Sequence, residues 1–172
     1  MIGKSVFLRA LELNDVQDLY AFENDISIWN ASETFMPYSA FALEQYVMDA
    51  INSDIFASKQ LRLVICKCSD GKIVGFIDLF NFSPKHLRAE VGILIQKDNR
   101  NKGYAKEALQ LLIDYAYNIL GLHQLACSIN DGNLSSIRLF ESCNFVCTAQ
   151  KKDWIRTNDT WTDELFYQLL LK

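Results

Sequence analysis

The chain has 172 residues, which fits one domain with a sizeable core, and the whole of 1–172 is read as a single domain. Half the residues are apolar, 22% are charged and the net charge is −4, so the basic stripe of a general nucleic-acid binder is missing and no nucleic-acid partner is expected. The opening MIGKSVFLRALELND has no unbroken apolar run, and no segment approaches the roughly 18 apolar residues of a membrane span. The expectation is a cytoplasmic protein with no membrane partner.

In chain order, SVFLRALEL alternates like a strand, and Asn14 is placed to cap a short helix carrying Val16, Leu19, Tyr20 and Glu23. SAFALEQYVMDAIN follows with Leu43, Tyr46, Val47, Ala50 and Ile51 at helical spacing. LRLVICKC, the turn SDGK and IVGFIDLFNF read as a hairpin, and RAEVGILI as a buried central strand. Tyr104 to Ile119 carries the strongest helical pattern, with Ala105, Ala108, Leu109, Leu112, Tyr115, Ala116 and Ile119 on one face. HQLACSI then reads as a strand, LSSIRLFESC as a helix, and NFVCTAQ and TDELFYQLLL as two last strands. That order predicts an α/β (α+β) domain built on a mixed sheet.

The five cysteines form no C-x-x-C pair, and His86 and His123 have no partner at ligand spacing. Free, mostly buried thiols are expected, with no metal and no cysteine nucleophile.

The segment IQKDNRNKGYAKEAL, 95–109, concentrates the chemistry. A central strand, a short loop and a helix start place residues 100–106 at unpaired backbone N–H groups and the positive end of the helix dipole. Gly103 has no Cβ to hold an anion off those groups, and Arg100, Lys102 and Lys106 add mobile charge. Such a start can cradle a pyrophosphate, although the G-x-x-x-x-G-K-[ST] and G-x-G-x-x-G fingerprints are both missing.

Arg100-Asn101-Lys102-Gly103-Tyr104-Ala105 resembles the [QR]-x-x-G-x-[GA] signature of the GNAT superfamily of acyl-CoA-dependent N-acetyltransferases, between the strand and helix where that family carries it. NDGNLSSIRLFESCNF is similar to its N-x-x-[SA]-x-x-L-[YF]-E-K-x-G-F segment, in Asn133, Ser136, Leu139, Phe140, Glu141 and Phe145. The opening SVFLRALELNDVQDLY, FSPKHLRAEVGILI and the closing DELFYQLLL resemble the branch holding ribosomal-protein N-terminal acetyltransferases and spermidine N-acetyltransferases. The resemblance covers nearly the whole chain.

The resemblance implies a mainly antiparallel central sheet flanked by helices, with one splayed pair of central strands. It implies that backbone around Ile93, Leu94 and Ile95 meets the pantetheine arm of acetyl-CoA. It places the pyrophosphate on Arg100, Asn101, Lys102, Gly103, Tyr104 and Ala105, and Asn133, Ser136 and Phe140 near the thiol end. The amine, a small molecule or a peptide N-terminus, would enter from the opposite side. Residues Trp29 to Phe41, with Glu33 among them, and the final hairpin near Trp154 would bound its entrance. Glu90, on the acyl-site strand, is the candidate general base; a surface carboxylate paired with Arg88 or Lys85 is the plainer alternative.

Two positions depart from the family pattern. Phe140 stands where many relatives carry a tyrosine that protonates the departing thiolate, and Asn144 replaces a glycine, though asparagine tolerates the left-handed backbone. The acid is unassigned on the sequence. An N-acetyltransferase is the reading, with a catalytically silent acyl-CoA-binding or sensor module as the alternative, and exposed strand edges of such folds make a homodimer possible.

Overall fold

The computed structural model describes residues 1–29, 34–157 and 159–172. Its first half runs β1 (Val6–Ala10), α1 (Val16–Glu23), α2 (Ile26–Trp29), α3 (Ala40–Asn52), α4 (Ile55–Ser58), β2 (Leu61–Lys67), β3 (Ile73–Ser83) and β4 (Arg88–Ile95). The second half runs α5 (Tyr104–Asn118), β5 (Gln124–Asn130), α6 (Leu134–Glu141), β6 (Val146–Thr157) and β7 (Thr160–Leu170). The strands form one sheet of seven in the order β1-β2-β3-β4-β5-β7-β6. Every neighbouring pair is antiparallel except β4 and β5.

The near-continuous apolar runs of β2 to β4 follow from burial on both faces. Leu63, Ile65, Ile77, Leu79, Ala89, Val91 and Ile95 enter the larger core beneath α5 and α6. Val64, Cys66 and Phe76 point to the other face, where Leu19 and Phe22 of α1 and Leu43 and Val47 of α3 cover them. In α5 the buried side chains are Ala108, Leu109, Leu112 and Ala116, with Ala105 and Tyr115 packed beside them as the apolar spacing predicts; Ile119, expected on the same face, lies past the end of the helix and is exposed. Asn133 caps α6, its Oδ1 accepting from Ser136 N at 3.2 Å.

Several local expectations are corrected. β1 ends at Ala10, and Asp15 rather than Asn14 organises entry to α1. Its buried carboxylate accepts from Arg9 Nη1 and Nη2, both at 2.7 Å, and from Glu12 N at 2.8 Å. Asn144 does adopt the left-handed backbone, with φ 67°, and closes α6 as Phe145 N donates to Phe140 O. β6 and β7 are longer than their patterns suggest. Asp163 sustains β6 across a bulge by accepting from Gln150 Nε2, Lys152 Nζ and Asp153 N. Cys66, Cys127 and Cys143 are buried free thiols, whereas Cys68 and Cys147 are exposed.

Candidate active site

The parallel ladder between β4 and β5 is short. It pairs Arg88 with Gln124, Ala89 with Leu125 and Glu90 with Ala126, and stops there. Beyond that fork β4 continues to Ile95 on β3 alone, while β5 continues to Asn130 on β7 alone. The backbone from Val91 to Ile95 therefore has its β5-facing N–H and C=O groups outside any ladder, in a wedge open to an extended polar ligand. Ile93, Leu94 and Ile95 lie along this wedge.

Glu90 sits at the fork, half-buried. Its carboxylate accepts from Asn81 Nδ2 at 3.0 Å, in place of the Arg88 or Lys85 pairing that its neighbours suggest. Asn81 reaches it because β3 breaks register between Phe80 and Ser83 and takes a left-handed turn at Asn81, φ 50°. Both residues line an open cleft of about 420 Å³ with Ala126, Phe166 and Gln168. The cleft lies on the sheet face that α1 and α3 cover only as far as the first strands. Cys127 follows the fork on β5, facing the larger core; burial, reinforced by the negative charge of Glu90, pushes its thiol well above the ordinary range. It is held protonated, which argues against a covalent thiol intermediate.

The loop at the wide end of the wedge has left-handed backbone at Asn101, φ 59°, and again at Gly103, φ 82°. Such alternation turns successive N–H groups to one side, at the start of a helix whose dipole adds positive potential. Arg100 and Lys102 are less mobile than expected. Arg100 Nε donates to Ile95 O at 2.9 Å and Lys102 Nζ to Asp98 O at 2.7 Å, so both shape the loop as well as charging it. Tyr104 and Ala105 begin α5 and pack on the larger core. One turn in, Glu107 accepts from the backbone N–H groups of Lys4 and Ser5, tying the helix to the N-terminal segment. Burial pushes that carboxyl up, but the main-chain donors of Ser5 and Lys4 outweigh it and hold it below the ordinary range.

At the other wall, Asn133 Oδ1 is engaged with Ser136 N and with Ser135 Oγ at 2.9 Å. Phe140 is buried, its ring edge-on to Phe145 with centroids 5.0 Å apart. Nearby, Tyr167 donates to Glu141 Oε1 at 3.1 Å; burial, helped by that carboxylate, pushes its phenol up to about 12. Trp154 lies on edge strand β6, exposed, with Lys151 Nζ 4.8 Å from its ring centre. Glu33 falls outside the described residues.

One group near the fork left no local trace in the sequence. Arg62 of β2 binds Asp78 of β3 through Nε–Oδ1 at 2.7 Å and Nη2–Oδ2 at 3.0 Å, and Glu23 of α1 through Nη1–Oε1 at 2.6 Å. Tyr46 stacks over the guanidinium at 5.3 Å. The carboxylates of Asp78 and Glu23 outweigh the burial that would lower it, and Arg62 stays charged throughout.

Residues 5–146 match the Acetyltransferase (GNAT) domain family. The chain belongs to the GNAT acetyltransferases. Their reaction, acetyl-CoA-dependent transfer of an acetyl group to an amine, is the chemistry of this protein. Among curated relatives, the spermidine N(1)-acetyltransferase of Vibrio cholerae is 27% identical over 84% of this chain and 81% of its own. The L-methionine sulfoximine/L-methionine sulfone acetyltransferase of Pseudomonas paraeruginosa is 26% identical over 97% of this chain and 95% of its own. The crystal structure of the Vibrio cholerae spermidine enzyme in complex with CoA and spermine superposes with a TM-score of 0.87 at 24% identity, covering 98% of this chain and 97% of that one. At that identity the superposition speaks for the fold: a mixed α/β sheet of mainly antiparallel strands, as expected from the sequence. Among the described residues no helix is long and apolar enough to cross a membrane.

Proposed function

We propose that this GNAT enzyme acetylates a small primary amine by direct attack inside the wedge between β4 and β5, with Glu90 as general base. The observation that carries the reading is the end of the β4–β5 ladder at Glu90 and Ala126, which leaves Val91–Ile95 to hold an extended thioester arm. In this reading the N–H groups of residues 100–105 take the pyrophosphate of acetyl-CoA, and the backbone of Ile93, Leu94 and Ile95 takes the pantetheine amides. Asn133, Ser136 and Phe140 bound the thioester end. An alkylammonium, with a pKa near 10.4 for a lysine-like amine, must lose a proton before it attacks. Glu90 lies at the fork with Asn81 orienting its carboxylate, where it can accept that proton directly or through one water.

The amine nitrogen then attacks the thioester carbonyl and a tetrahedral oxyanion forms. An unpaired N–H of β4 is the donor available for that charge. The C–S bond breaks and CoA leaves as thiolate. Phe140 has no proton to give, and a thiol with a pKa near 8.5 is a good enough leaving group to be protonated by water. Holding both substrates in line accounts for much of the acceleration, and the base for roughly 10²–10⁴-fold.

The acceptor class rests on a likeness in sequence to enzymes of small amines, and Trp154 and the segment around Glu33 belong to the proposed rim of its entrance. Self-association fits the same reading through β6, which ends the sheet on one side; at the other side Met1 and Gly3 pair with Val6 and Leu8 and cover the edge of β1. The test is steady-state release of free CoA from acetyl-CoA with a panel of small amines and peptide N-termini. Sustained turnover with a small amine supports the reading; turnover confined to peptides refutes the acceptor class, and none at all refutes the mechanism.

A further inference from the structure

The cleft beside Glu90 runs along β4 and β5 away from the wedge, towards the start of their short ladder. Arg88 and Gln124 form the first rung of that ladder, and Glu90 and Ala126 the last; all four line the cleft. Alternate residues of a strand share a face, so Arg88 and Glu90 stand on the same side with Cα atoms roughly 7 Å apart.

The polar groups at the Arg88 end are arranged to donate. Thr148 Oγ1 of β6 donates to Gln168 Oε1 of β7 at 2.8 Å, and Gln168 Nε2 donates to Gln124 Oε1 of β5 at 2.8 Å. The chain ends on Gln124 Nε2, which donates to no described residue. Beside it the guanidinium of Arg88 is exposed and, among the described residues, makes no hydrogen bond and no ion pair. The nearest carboxylate along its own strand, Glu90, takes its hydrogen bond from Asn81 instead. An Arg guanidinium and an amide NH2 carry donors only. The cleft thus has an unpaired cation and an open amide at one end and a carboxylate at the other, the complement of a zwitterion. Ala126 and Phe166 give it an apolar wall between them.

We propose that Arg88 and Gln124 form a carboxylate subsite of the acceptor cleft, and that the acceptor is a free α-amino acid. Its carboxylate accepts from the fork of Arg88 and from Gln124 Nε2, which sets its ammonium at Glu90. The two groups, joined through one carbon and each making a hydrogen bond of about 2.8 Å, bridge side chains whose Cα atoms are roughly 7 Å apart. Glu90 takes the first proton from the ammonium, the nitrogen bonds to the acetyl carbon, and the C–S bond breaks. The nitrogen gives a second proton to water, from which the CoA thiolate is protonated, and one proton is released overall. A simple alkylamine leaves the subsite unengaged, and a diamine brings a second positive charge towards Arg88. The inference deepens the proposed function and rests on it, by naming the class of small amine.

The experiment is initial-rate kinetics at saturating acetyl-CoA. The free amino acids are tested as a panel, and the best of them is compared with its amide and with the amine left by removing its carboxylate. Two variants accompany the wild type: Arg88→Gln removes the cation, and Gln124→Glu keeps an acceptor for Gln168 while setting a negative charge beside the substrate carboxylate. The wild type is expected to favour the amino acid over its amide and amine by at least tenfold in kcat/KM, as befits a charge-assisted contact. Arg88→Gln should raise KM for the amino acid by about tenfold or more with kcat little changed, and affect the amide, the amine and acetyl-CoA far less. Gln124→Glu should act in the same direction, and it carries the test if Arg88→Gln does not fold. Amines or amides used as well as every amino acid by the wild type overturn the inference while the proposed function stands. An equal loss on all three acceptors in the variants does the same, since it marks a structural role. Turnover of no acceptor overturns the proposed function and this inference together.

Discussion

Replacing Gly103 by alanine isolates the backbone geometry on which the proposed phosphate loop depends. The added Cβ meets nothing within 4 Å, so any effect comes from the backbone, which sits at φ 82° in the left-handed region. A non-glycine residue there costs roughly 1–2 kcal/mol. If the loop keeps its shape, that strain lowers the stability of the fold. If the free loop relaxes instead, acetyl-CoA must restore the shape on binding, and affinity falls by about five- to thirtyfold. The second outcome is expected, because the loop is mostly exposed and its side chains anchor it by only a few contacts, Arg100 to Ile95 O, Lys102 to Asp98 O and Asn99 to Gln96 among them. Gly71→Ala is the control: its φ is 70°, nothing lies within 4 Å of its Cβ, and it sits in the β2–β3 turn away from the wedge. It should lower the melting temperature by about 3–6 °C, the shift such a strain gives in a chain of this length, and leave CoA affinity unchanged. Gly103→Asn should fall between alanine and wild type, since asparagine tolerates this backbone. The assay is calorimetric titration with acetyl-CoA beside a thermal melt. A Gly103→Ala protein with wild-type affinity and the same melting shift as Gly71→Ala would refute the reasoning.

Three further outcomes are expected. Glu90→Gln should lower kcat by roughly 10²-fold or more with acetyl-CoA affinity unchanged, and should remove the acidic limb of the pH–rate profile; a wild-type profile would reduce Glu90 to a structural carboxylate. Phe140→Tyr should fold with a lowered melting temperature, because a hydroxyl buried beside Phe145 without a partner costs about 1–3 kcal/mol. Turnover should not rise; an increase would show that thiolate protonation limits the wild type. Burial pushes the Asp15 carboxyl up, but Arg9 and the Glu12 N–H outweigh it and hold it below its ordinary value. Its contribution to stability is therefore complete above a pH of about 3.9 and is lost as pH falls through the lower folded value. Asp15→Asn should be less stable by about 2–3 kcal/mol at neutral pH, with the gap from wild type narrowing in acid; chemical denaturation at several pH values measures both.

What could be read from the chain is what depends on nearby residues. The both-sided burial of β2 to β4, the stripe of α5 and the glycine at its start are short-range patterns, and each has its physical counterpart in the structure. Asn144 is a similar case, since its left-handed backbone needs no distant partner. The surroundings of the fork and the start of α5 are harder to read because their contacts cross long stretches of sequence. Arg62 meets Asp78 sixteen residues away and Glu23 thirty-nine away, and Glu107 reaches the backbone of Lys4 across 103 residues. Asn81 touches Glu90 only because a register break turns it inward. Asn14 looked like the cap of α1 because Asp15 shows its advantage only once β1 brings Arg9 beside it. The same holds for β6, whose strand continues past Lys152 because Asp163 on the opposite strand secures the bulge.

The central claim is that the opened ladder and the loop at Gly103 together hold acetyl-CoA. Calorimetric titration of the wild-type protein with acetyl-CoA, desulfo-CoA and ATP tests it most directly. The account predicts micromolar binding of acetyl-CoA and desulfo-CoA, which share the pantetheine arm and pyrophosphate, and none of ATP, which lacks the arm. Equal binding of ATP would show that the loop alone recognises phosphate, and no binding of either CoA species would contradict the assignment of the wedge.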